Sequence, residues 1–147
     1  MCPALGIRVE PDITAMLAAR LGAPLGGDFY AISVADNLRP GGRAPQLEAV
    51  LWAGLSVALY NPIYSARPWQ LDRALARAAE ILDPTTPVIF PRAVTRADEA
   101  LRVLAFTDAG TAPADMATMV IIGAPTTRLI AREERPPFVY TPRCVTL

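Results

Sequence analysis

The sequence predicts an α/β domain in which helices pack on a mixed β-sheet. Amphipathic helical segments alternate with short apolar segments of strand length, which is the pattern of a layered α/β fold. Several apolar segments end at a proline or glycine turn, as strands do before a connecting loop. With 147 residues, of which 52% are hydrophobic, the chain has the length of one domain and can bury one core.

Three helices are predicted. The first covers residues 11–22: proline opens it, an acidic residue lies in its first turn, and apolar residues three or four apart form one stripe. Gly22 can end this helix in a left-handed cap. A weaker helix is predicted over residues 45–53. A clear amphipathic helix over residues 68–82 turns its leucines inward and its arginines toward water.

Five strands are predicted, over residues 28–34, 55–60, 88–90, 101–106 and 119–122. The segment 55–60 is apolar almost throughout, which is typical of a strand in the middle of a sheet that is covered on both faces. Residues 35–43 form a loop by composition. The tail, residues 135–143, can hold only a short edge strand because it is rich in proline, which cannot donate to a strand ladder.

The composition excludes several kinds of chemistry. The chain has no histidine and no lysine, so that every basic residue is arginine. This excludes Ser-His and Cys-His nucleophiles, histidine-ligated metals, lysine Schiff bases and the lysine of a phosphate-binding loop. The formal net charge of zero argues against an electrostatic nucleic-acid binder. Carboxylates, hydroxyls, amides, arginines and backbone groups remain as functional groups.

The cysteines and the apolar segments indicate a cytoplasmic protein. Cys2 and Cys144 lie at opposite ends of the sequence without metal-ligand spacing, so we expect free thiols and no metal site. The longest apolar run, residues 49–60, is too short to cross a bilayer. The first residues lack the pattern of a signal peptide. We therefore expect neither a membrane nor a nucleic acid as a partner.

Three predicted strand ends are candidates for a ligand site: residues 60–62, 92–95 and 123–126. Each is followed by turn-forming or small residues, and ligands collect at such ends in open α/β sheets. Each is also compatible with an ordinary connecting turn. Thr14, in the first turn of the first helix, can donate to a ligand near the helix N-terminus or simply cap the helix.

Several segments together resemble a known family. In order along the chain they are Leu59-Tyr-Asn-Pro62 and residues 67–75, 87–94, 115–118 and 139–143. At these spacings they resemble the precorrin-3B C(17)-methyltransferases of cobalamin biosynthesis, within the tetrapyrrole methylase family. Residues 20–26 and 33–40 resemble the same enzymes just after the link between their two domains. The resemblance covers nearly the whole chain.

The resemblance implies a two-domain α/β enzyme that binds S-adenosylmethionine between its domains and methylates a tetrapyrrole, a precorrin. It implies that residues 1–147 form a single C-terminal domain of the S-adenosylmethionine-binding type, with residues 1–10 as a remnant of the interdomain region. The glycine-rich Gly-x-Gly-Pro-Gly loop of the N-terminal domain does not occur in the sequence. We expect the chain to act with a separately encoded N-terminal half or as a homo-oligomer. The alternative is a non-catalytic remnant or interaction module of the same fold.

The resemblance also implies cofactor contacts, in three pairs: Thr14 and Ala15 at a helix start, Tyr60 and Asn61 beside the adenosine, and Ala93 and Val94 in a loop that closes over it. A sulfonium methyl is already activated, so its transfer needs alignment more than a strong base, and no catalytic residue is assigned. Precorrins carry acetate and propionate arms, for which possible anion forks are Arg39, Arg43 and Arg67.

The sequence departs from the family pattern near the expected cleft. Asp12 stands where the family usually has glycine, and a side chain there can block a close approach of the cofactor. Residues 26–29 contain glycine where histidine is expected, and residues 41–43 replace a Trp-Glu pattern. These departures argue against independent catalysis by this chain.

Overall fold

The computed structural model describes residues 20–34, 44–63 and 68–142. In chain order their elements are β1 Gly22–Ala23, β2 Phe29–Ser33, α1 Ala44–Trp52, β3 Ser56–Tyr60, α2 Gln70–Ala78, β4 Pro87–Arg92, β5 Ala100–Ala105, a 3-10 helix Phe106–Thr111, β6 Val120–Ile122, β7 Arg128–Ile130 and β8 Phe138–Tyr140. The five predicted strands are therefore confirmed, as are the helices predicted over residues 45–53 and 68–82.

The helix α2 is shorter than predicted, although its faces are as expected. Leu71 and Leu75 are buried, whereas Arg73 is exposed. After Ala78 the bonding pattern is mixed, because the carbonyl of Ala78 accepts both from the N–H of Ile81, three residues later, over 3.0 Å and from the N–H of Leu82 over 2.9 Å. Such bonds are typical of the last turn of a helix.

A five-stranded sheet forms the centre of the fold, with strand order β2-β3-β6-β4-β5. Strands β2 and β3 are parallel, and every other neighbouring pair is antiparallel. The expectation of a mixed α/β sheet is confirmed. Strand β3 lies inside the sheet and its residues 56–59 are buried, as the continuous apolar segment predicts.

The side chains of this sheet point alternately into two apolar clusters. On one face, Leu59, Phe90 and Val120 pack with leucines of α1 and α2. On the other face, Ile89 and Ile121 belong to a cluster completed by residues outside the sheet, namely Leu21, Leu25 and Val139. The fold therefore has three layers, with the five-stranded sheet in the middle, which explains why its central strands are apolar on both faces.

The third layer is a small sheet with strand order β1-β8-β7. The prediction of an edge strand in the tail is wrong, because β8 lies in the middle of this sheet, parallel to β1 and antiparallel to β7. The prolines at positions 136, 137 and 142 flank Phe138–Tyr140 instead of interrupting it. All three residues of β8 therefore keep the N–H that a central strand needs.

Gly22 ends a helical segment in the predicted left-handed conformation. Arg20 and Leu21 are helical, and Gly22 follows with a φ of 87°. A Cβ added at Gly22 would lie 2.9 Å from the carbonyl oxygen of Val139. Glycine is therefore needed both for its backbone angle and for the close approach of β8. The rest of the predicted helix 11–22 lies outside the described residues.

The described ranges contain no helix with both the length and the apolar character to cross a bilayer. They also contain no group of three or more acidic, cysteine or histidine side chains placed to share a metal ion.

Candidate functional site

Two of the three predicted strand ends lie at one edge of the central sheet, here called the carboxyl edge. Strands β2, β3 and β4 run in the same direction, because β3 and β4 are both antiparallel to β6. The N–H of Val34 donates to the carbonyl of Tyr60 over 3.0 Å, and Arg92 pairs with Thr118. With β6 between β3 and β4, the segments 60–62 and 92–95 are roughly 10 Å apart, or two strand spacings.

The third predicted strand end, residues 123–126, does not belong to this edge. Strand β6 runs against β3 and β4, so its end lies at the opposite edge of the sheet. There the N–H of Gly123 donates to the carbonyl of Pro87, the first residue of β4, over 2.9 Å. The three strand ends would meet at one edge only in a fully parallel sheet, so residues 123–126 are separated from the other two candidates.

The carboxyl edge concentrates unusual backbone angles. Asn61, Ala93 and Thr95 have φ values of 50°, 47° and 72°. Asparagine tolerates this left-handed region well, but alanine and especially the β-branched threonine do so at a cost. Such angles persist where surrounding contacts impose them, and they cluster at ligand sites. Two of these residues, Asn61 and Ala93, are cofactor contacts implied by the resemblance.

Hydrogen bonds hold the loop that contains Ala93 and Val94. The N–H of Ala93 donates to the carbonyl of Ala117 over 3.0 Å, and the carbonyl of Ala93 accepts from the N–H of Arg96 over 2.9 Å. Ala93 is buried, and Val94 packs against the cluster beneath the small sheet. The loop is therefore fixed at its first residue rather than free to swing.

Arg92 is the centre of an ion-pair network directly before this loop. Its Nε donates to Oδ2 of Asp115 over 2.7 Å, and its Nη1 donates to Oδ2 of Asp98 over 2.8 Å. The hydrogen bond from Arg92 is the largest cause that lowers the pKa of each carboxyl, and the two carboxylates raise the pKa of Arg92. The Thr118 hydroxyl also donates to Asp115, over 2.8 Å, which further lowers the pKa of Asp115.

Glu99 supports the far side of the loop. Its Oε2 accepts from the backbone N–H of Thr95 over 2.6 Å, and its Oε1 pairs with Nε of Arg20. The bond from Thr95 is the largest cause that lowers the pKa of Glu99, and Arg20 lowers it further. Carboxylates thus hold the loop on both sides. One of them, Glu99, pairs with Arg20 in the helical segment that precedes β1.

The structure brings together four of the six residues assigned to the cofactor. Tyr60 ends β3 and Asn61 follows it, while Ala93 and Val94 follow β4 at the same edge. These four residues, with a half-buried ring at Tyr60 and small or apolar side chains after β4, could hold the flat base of a nucleoside. Thr14 and Ala15 lie outside the described residues, as do three possible anion forks, Arg39, Arg43 and Arg67.

Sequence reasoning missed the ion pairs of Arg92 with Asp98 and Asp115. Asp98 and Asp115 lie 6 and 23 residues away along the chain, so no local pattern indicates their pairing. A signal was present, since Arg92 opens one of the predicted strand ends and Asp115 opens the segment 115–118 that carries part of the resemblance.

The chain spans about half the length, or less, of the known proteins that it matches. No family model matches the sequence. A precorrin-3B C(17)-methyltransferase of Sinorhizobium sp is 50% identical over 138 residues, which cover 92% of this chain and 54% of the relative. A probable cobalt-factor III C(17)-methyltransferase of Salmonella typhimurium is 33% identical over 96% of this chain and 58% of the relative. The cobalamin biosynthesis protein CobIJ of Mycobacterium tuberculosis is 35% identical over 96% of this chain and 29% of the relative.

Solved structures share the fold. The methyltransferase CobJ has a TM-score of 0.77 and 37% sequence identity, over 87% of this chain and 52% of CobJ. The cobalt precorrin-4 methyltransferase CbiF has a TM-score of 0.54 and 16% sequence identity, over 76% of this chain and 48% of CbiF. CbiF therefore supports the fold alone, whereas CobJ also supports the sequence relationship. The chain therefore matches the C-terminal half of a precorrin-3B C(17)-methyltransferase in sequence and shares the tetrapyrrole methylase fold of CobJ.

Proposed function

We propose that this chain is the S-adenosylmethionine-binding half of a methyltransferase that acts on precorrin-3B in cobalamin biosynthesis. The observation that carries the proposal is the pair of left-handed residues, Asn61 and Ala93, at one edge of a sheet whose fold is that of CobJ. Both belong to segments for which the family resemblance implies cofactor contacts. The combination of strain and position supports a retained ligand site.

The residues at the carboxyl edge suit a role in binding and orientation. When bound, S-adenosylmethionine supplies a methyl group that is already activated, so the protein's task is alignment. Tyr60 and Val94 offer an aromatic and an apolar surface for the adenine. Ala93 leaves space for the ligand because its side chain is small and buried. The ion pairs of Arg92 fix the position of the loop before any ligand arrives.

The second wall of the site and the place for the precorrin come, in this proposal, from the N-terminal half of the enzyme. That half is either joined to this chain or supplied as a separate chain, and a homo-oligomer is the other possible source. The Sinorhizobium relative supports the division, since this chain matches 54% of it. We place the protein in the cytoplasm, as a biosynthetic enzyme.

Isothermal titration calorimetry with S-adenosylmethionine tests the proposal. The chain is titrated alone and after mixing with the N-terminal half of the Sinorhizobium relative, and we expect binding at least in the mixture. Ala93→Leu should abolish this binding, since it adds bulk to a buried position of the loop. The matched control is Ala76→Leu, on the exposed face of α2, which should bind normally.

Two outcomes would contradict the proposal. If the unmodified chain gives no heat of binding with S-adenosylmethionine, either alone or mixed with the partner half, the proposed role in cofactor binding is refuted. Normal binding by a folded Ala93→Leu variant would show that the loop after β4 does not contact the cofactor. Circular dichroism confirms that each variant is folded before it is titrated.

A non-catalytic interaction module is the second candidate, favoured by the apolar surface of the small sheet. Ile130 and Tyr140 lie on the face of the small sheet that points away from Val139, and they are 53% and 44% exposed, so that two large apolar side chains share one open face. Size-exclusion chromatography with light scattering tests this candidate. Self-association that Ile130→Glu abolishes would support it, whereas a monomer at high concentration that recovers no partner in pull-downs would count against it.

A further inference from the structure

A pocket of about 240 Å³ lies beside the candidate cofactor site. Its floor includes Phe90, which is buried in the helix-covered face of the central sheet. Its walls come from β5 on one side and from the segment that precedes β6 on the other, and include Ala100, Pro113 and Ala114. Arg92 also lines the pocket and directly precedes the cofactor loop. The pocket therefore borders the carboxyl edge.

The pocket contains one cation that the described residues leave without a carboxylate. Of its charged lining residues, Arg92 and Asp115 pair with each other, and Arg92 also pairs with Asp98. Arg102 lies on β5, opposite Phe90 in the register, and is exposed. Within residues 20–34, 44–63 and 68–142, no ion pair or hydrogen bond engages its side chain.

The residues that line the pocket favour a ligand with an anionic group on an apolar carbon skeleton. The hydroxyl of Thr118 is already engaged, because it donates to Oδ1 of Asp115 and accepts from the N–H of Asp115. Arg102 is therefore the main polar group that the lining offers to a ligand. A guanidinium meets a carboxylate with two parallel donors, and Phe90, Pro113 and Ala114 supply an apolar surface for the carbon skeleton behind the carboxylate.

The size of the pocket limits what enters it. Pockets that bury a whole drug-sized ligand hold about 300 to 1,000 Å³, and this one is smaller. It suits a side arm of a ligand, with the rest of the molecule lying outside, toward the carboxyl edge. A ring system with carboxylated arms meets this requirement.

We propose that the pocket is a subsite for one carboxylate arm of the methyl acceptor, with Arg102 as its anion fork. The identity of the acceptor as a tetrapyrrole rests on the proposed function. The subsite orients the macrocycle on this half of the enzyme, because a ring anchored by one arm beside Arg92 presents its adjacent edge to the loop at Ala93. Arg102 is in this role a substrate-positioning residue.

Binding of uroporphyrin to the 147-residue chain tests the subsite. Each pyrrole of this probe carries an acetate and a propionate arm, and its fluorescence reports binding. Arg102→Gln should weaken the affinity about tenfold or more, as expected for loss of a charged hydrogen bond. Arg128→Gln is the matched control, because Arg128 is also an exposed strand arginine but lies in the small sheet; it should change the affinity less than twofold.

A second variant tests the cavity independently of the charge. Ala100→Leu, at an exposed lining position, should fill the pocket and weaken binding while Arg102 remains. Failure of the unmodified chain to bind uroporphyrin would overturn the subsite. Equal affinities of Arg102→Gln and Arg128→Gln, or full affinity of Ala100→Leu, would overturn it as well.

Calorimetry with S-adenosylmethionine separates this inference from the proposed function. Cofactor binding by the unmodified chain, together with uroporphyrin binding that does not depend on Arg102, would refute the subsite and leave the methyltransferase proposal intact. Uroporphyrin binding that depends on Arg102, without any cofactor binding, would support the carboxylate subsite and refute the methyltransferase proposal.

Discussion

The Nε of Arg92 donates to Oδ2 of Asp115 over 2.7 Å, and this bond joins the end of β4 to the turn that precedes β6. The turn is itself held by Asp115, whose Oδ1 accepts from the N–H of Ala117 over 2.9 Å. One carboxylate therefore organises two neighbouring segments of the carboxyl edge. Both segments border the candidate cofactor site and the pocket that contains Arg102.

Replacing Asp115 should loosen this edge. Asp115→Ala removes the acceptor for Arg92, Thr118 and the N–H of Ala117. Because the side chain is 46% exposed, solvent screens the ion pair, and we expect a loss of about 1 kcal/mol in the free energy of unfolding. Thermal denaturation followed by circular dichroism measures it. Asp108→Ala, an exposed aspartate of the 3-10 helix, is the control, and an equal effect of both changes would contradict the role of Asp115.

Acid should destabilise the fold through the same carboxylates. The pKa values of Asp98, Glu99 and Asp115 are lowered in the folded chain, so the folded state binds fewer protons than the unfolded state. Their contribution to stability is complete above the ordinary carboxyl pKa of about 4, and is lost as the pH falls through the lowered values. Urea midpoints should therefore stay level from neutral pH to mildly acidic pH and fall below about pH 4.

The Asp115→Asn variant provides the control for the pH series. With one of the three carboxyls removed, its midpoint should decline less steeply in acid than that of the unmodified chain. Parallel curves for the two proteins would show that Asp115 does not contribute to the acid sensitivity.

Thr95 should be a position where glycine increases stability. Its φ of 72° is unfavourable for a β-branched residue, and glycine adopts it without strain. The bond from its backbone N–H to Glu99 is kept in Thr95→Gly. We expect a gain of about 0.5 to 1 kcal/mol in the free energy of unfolding, after the larger entropy of the unfolded glycine chain is subtracted.

Thr107→Gly is the matched control, because Thr107 is an exposed threonine without a positive φ. It should lose stability in the same urea titration. A loss at both positions would mean that the left-handed angle of Thr95 is not a source of strain.

Gly22 should not tolerate a side chain. Gly22→Ala combines a φ of 87° with a Cβ only 2.9 Å from the carbonyl oxygen of Val139, and should cost about 1 to 3 kcal/mol. Gly110→Ala is the control, since a Cβ at Gly110 meets no atom within 4 Å. Chemical denaturation compares the two variants. Similar stabilities would show that β8 can move away from Gly22 at little cost.

Long apolar or amphipathic segments made much of the fold predictable. The strand β3 and the helix α2 follow directly from a continuous apolar run and from leucines at helical spacing. The small sheet was missed because β1 and β7 have only 2 and 3 residues. Such short strands show no alternation, and what holds them in place is their pairing with β8, which is distant in sequence from β1.

The candidate site was predictable only in part, for a similar reason. Turn-forming residues after β3 and β4 indicate strand ends, and the family resemblance assigns roles to Asn61 and Ala93. Which ends meet depends on strand direction, and the antiparallel placement of β6 removes Gly123 from the site. The charge network of Arg92 and the cavity beside Arg102 arise from side chains that only the folded chain brings together.

The pairing of β1 with β8 has a consequence for how the protein folds during synthesis. Gly22 pairs with Val139, and the hydroxyl of Thr141 donates to the carbonyl of Pro24 across a separation of 117 residues. Contacts of such high sequence separation form slowly and late. Until the ribosome has released Val139, Ile89 and Ile121 lack their cover. The nascent chain therefore exposes one apolar face of its central sheet in the interval between the synthesis of β6 and that of β8, and a face uncovered in this way favours aggregation.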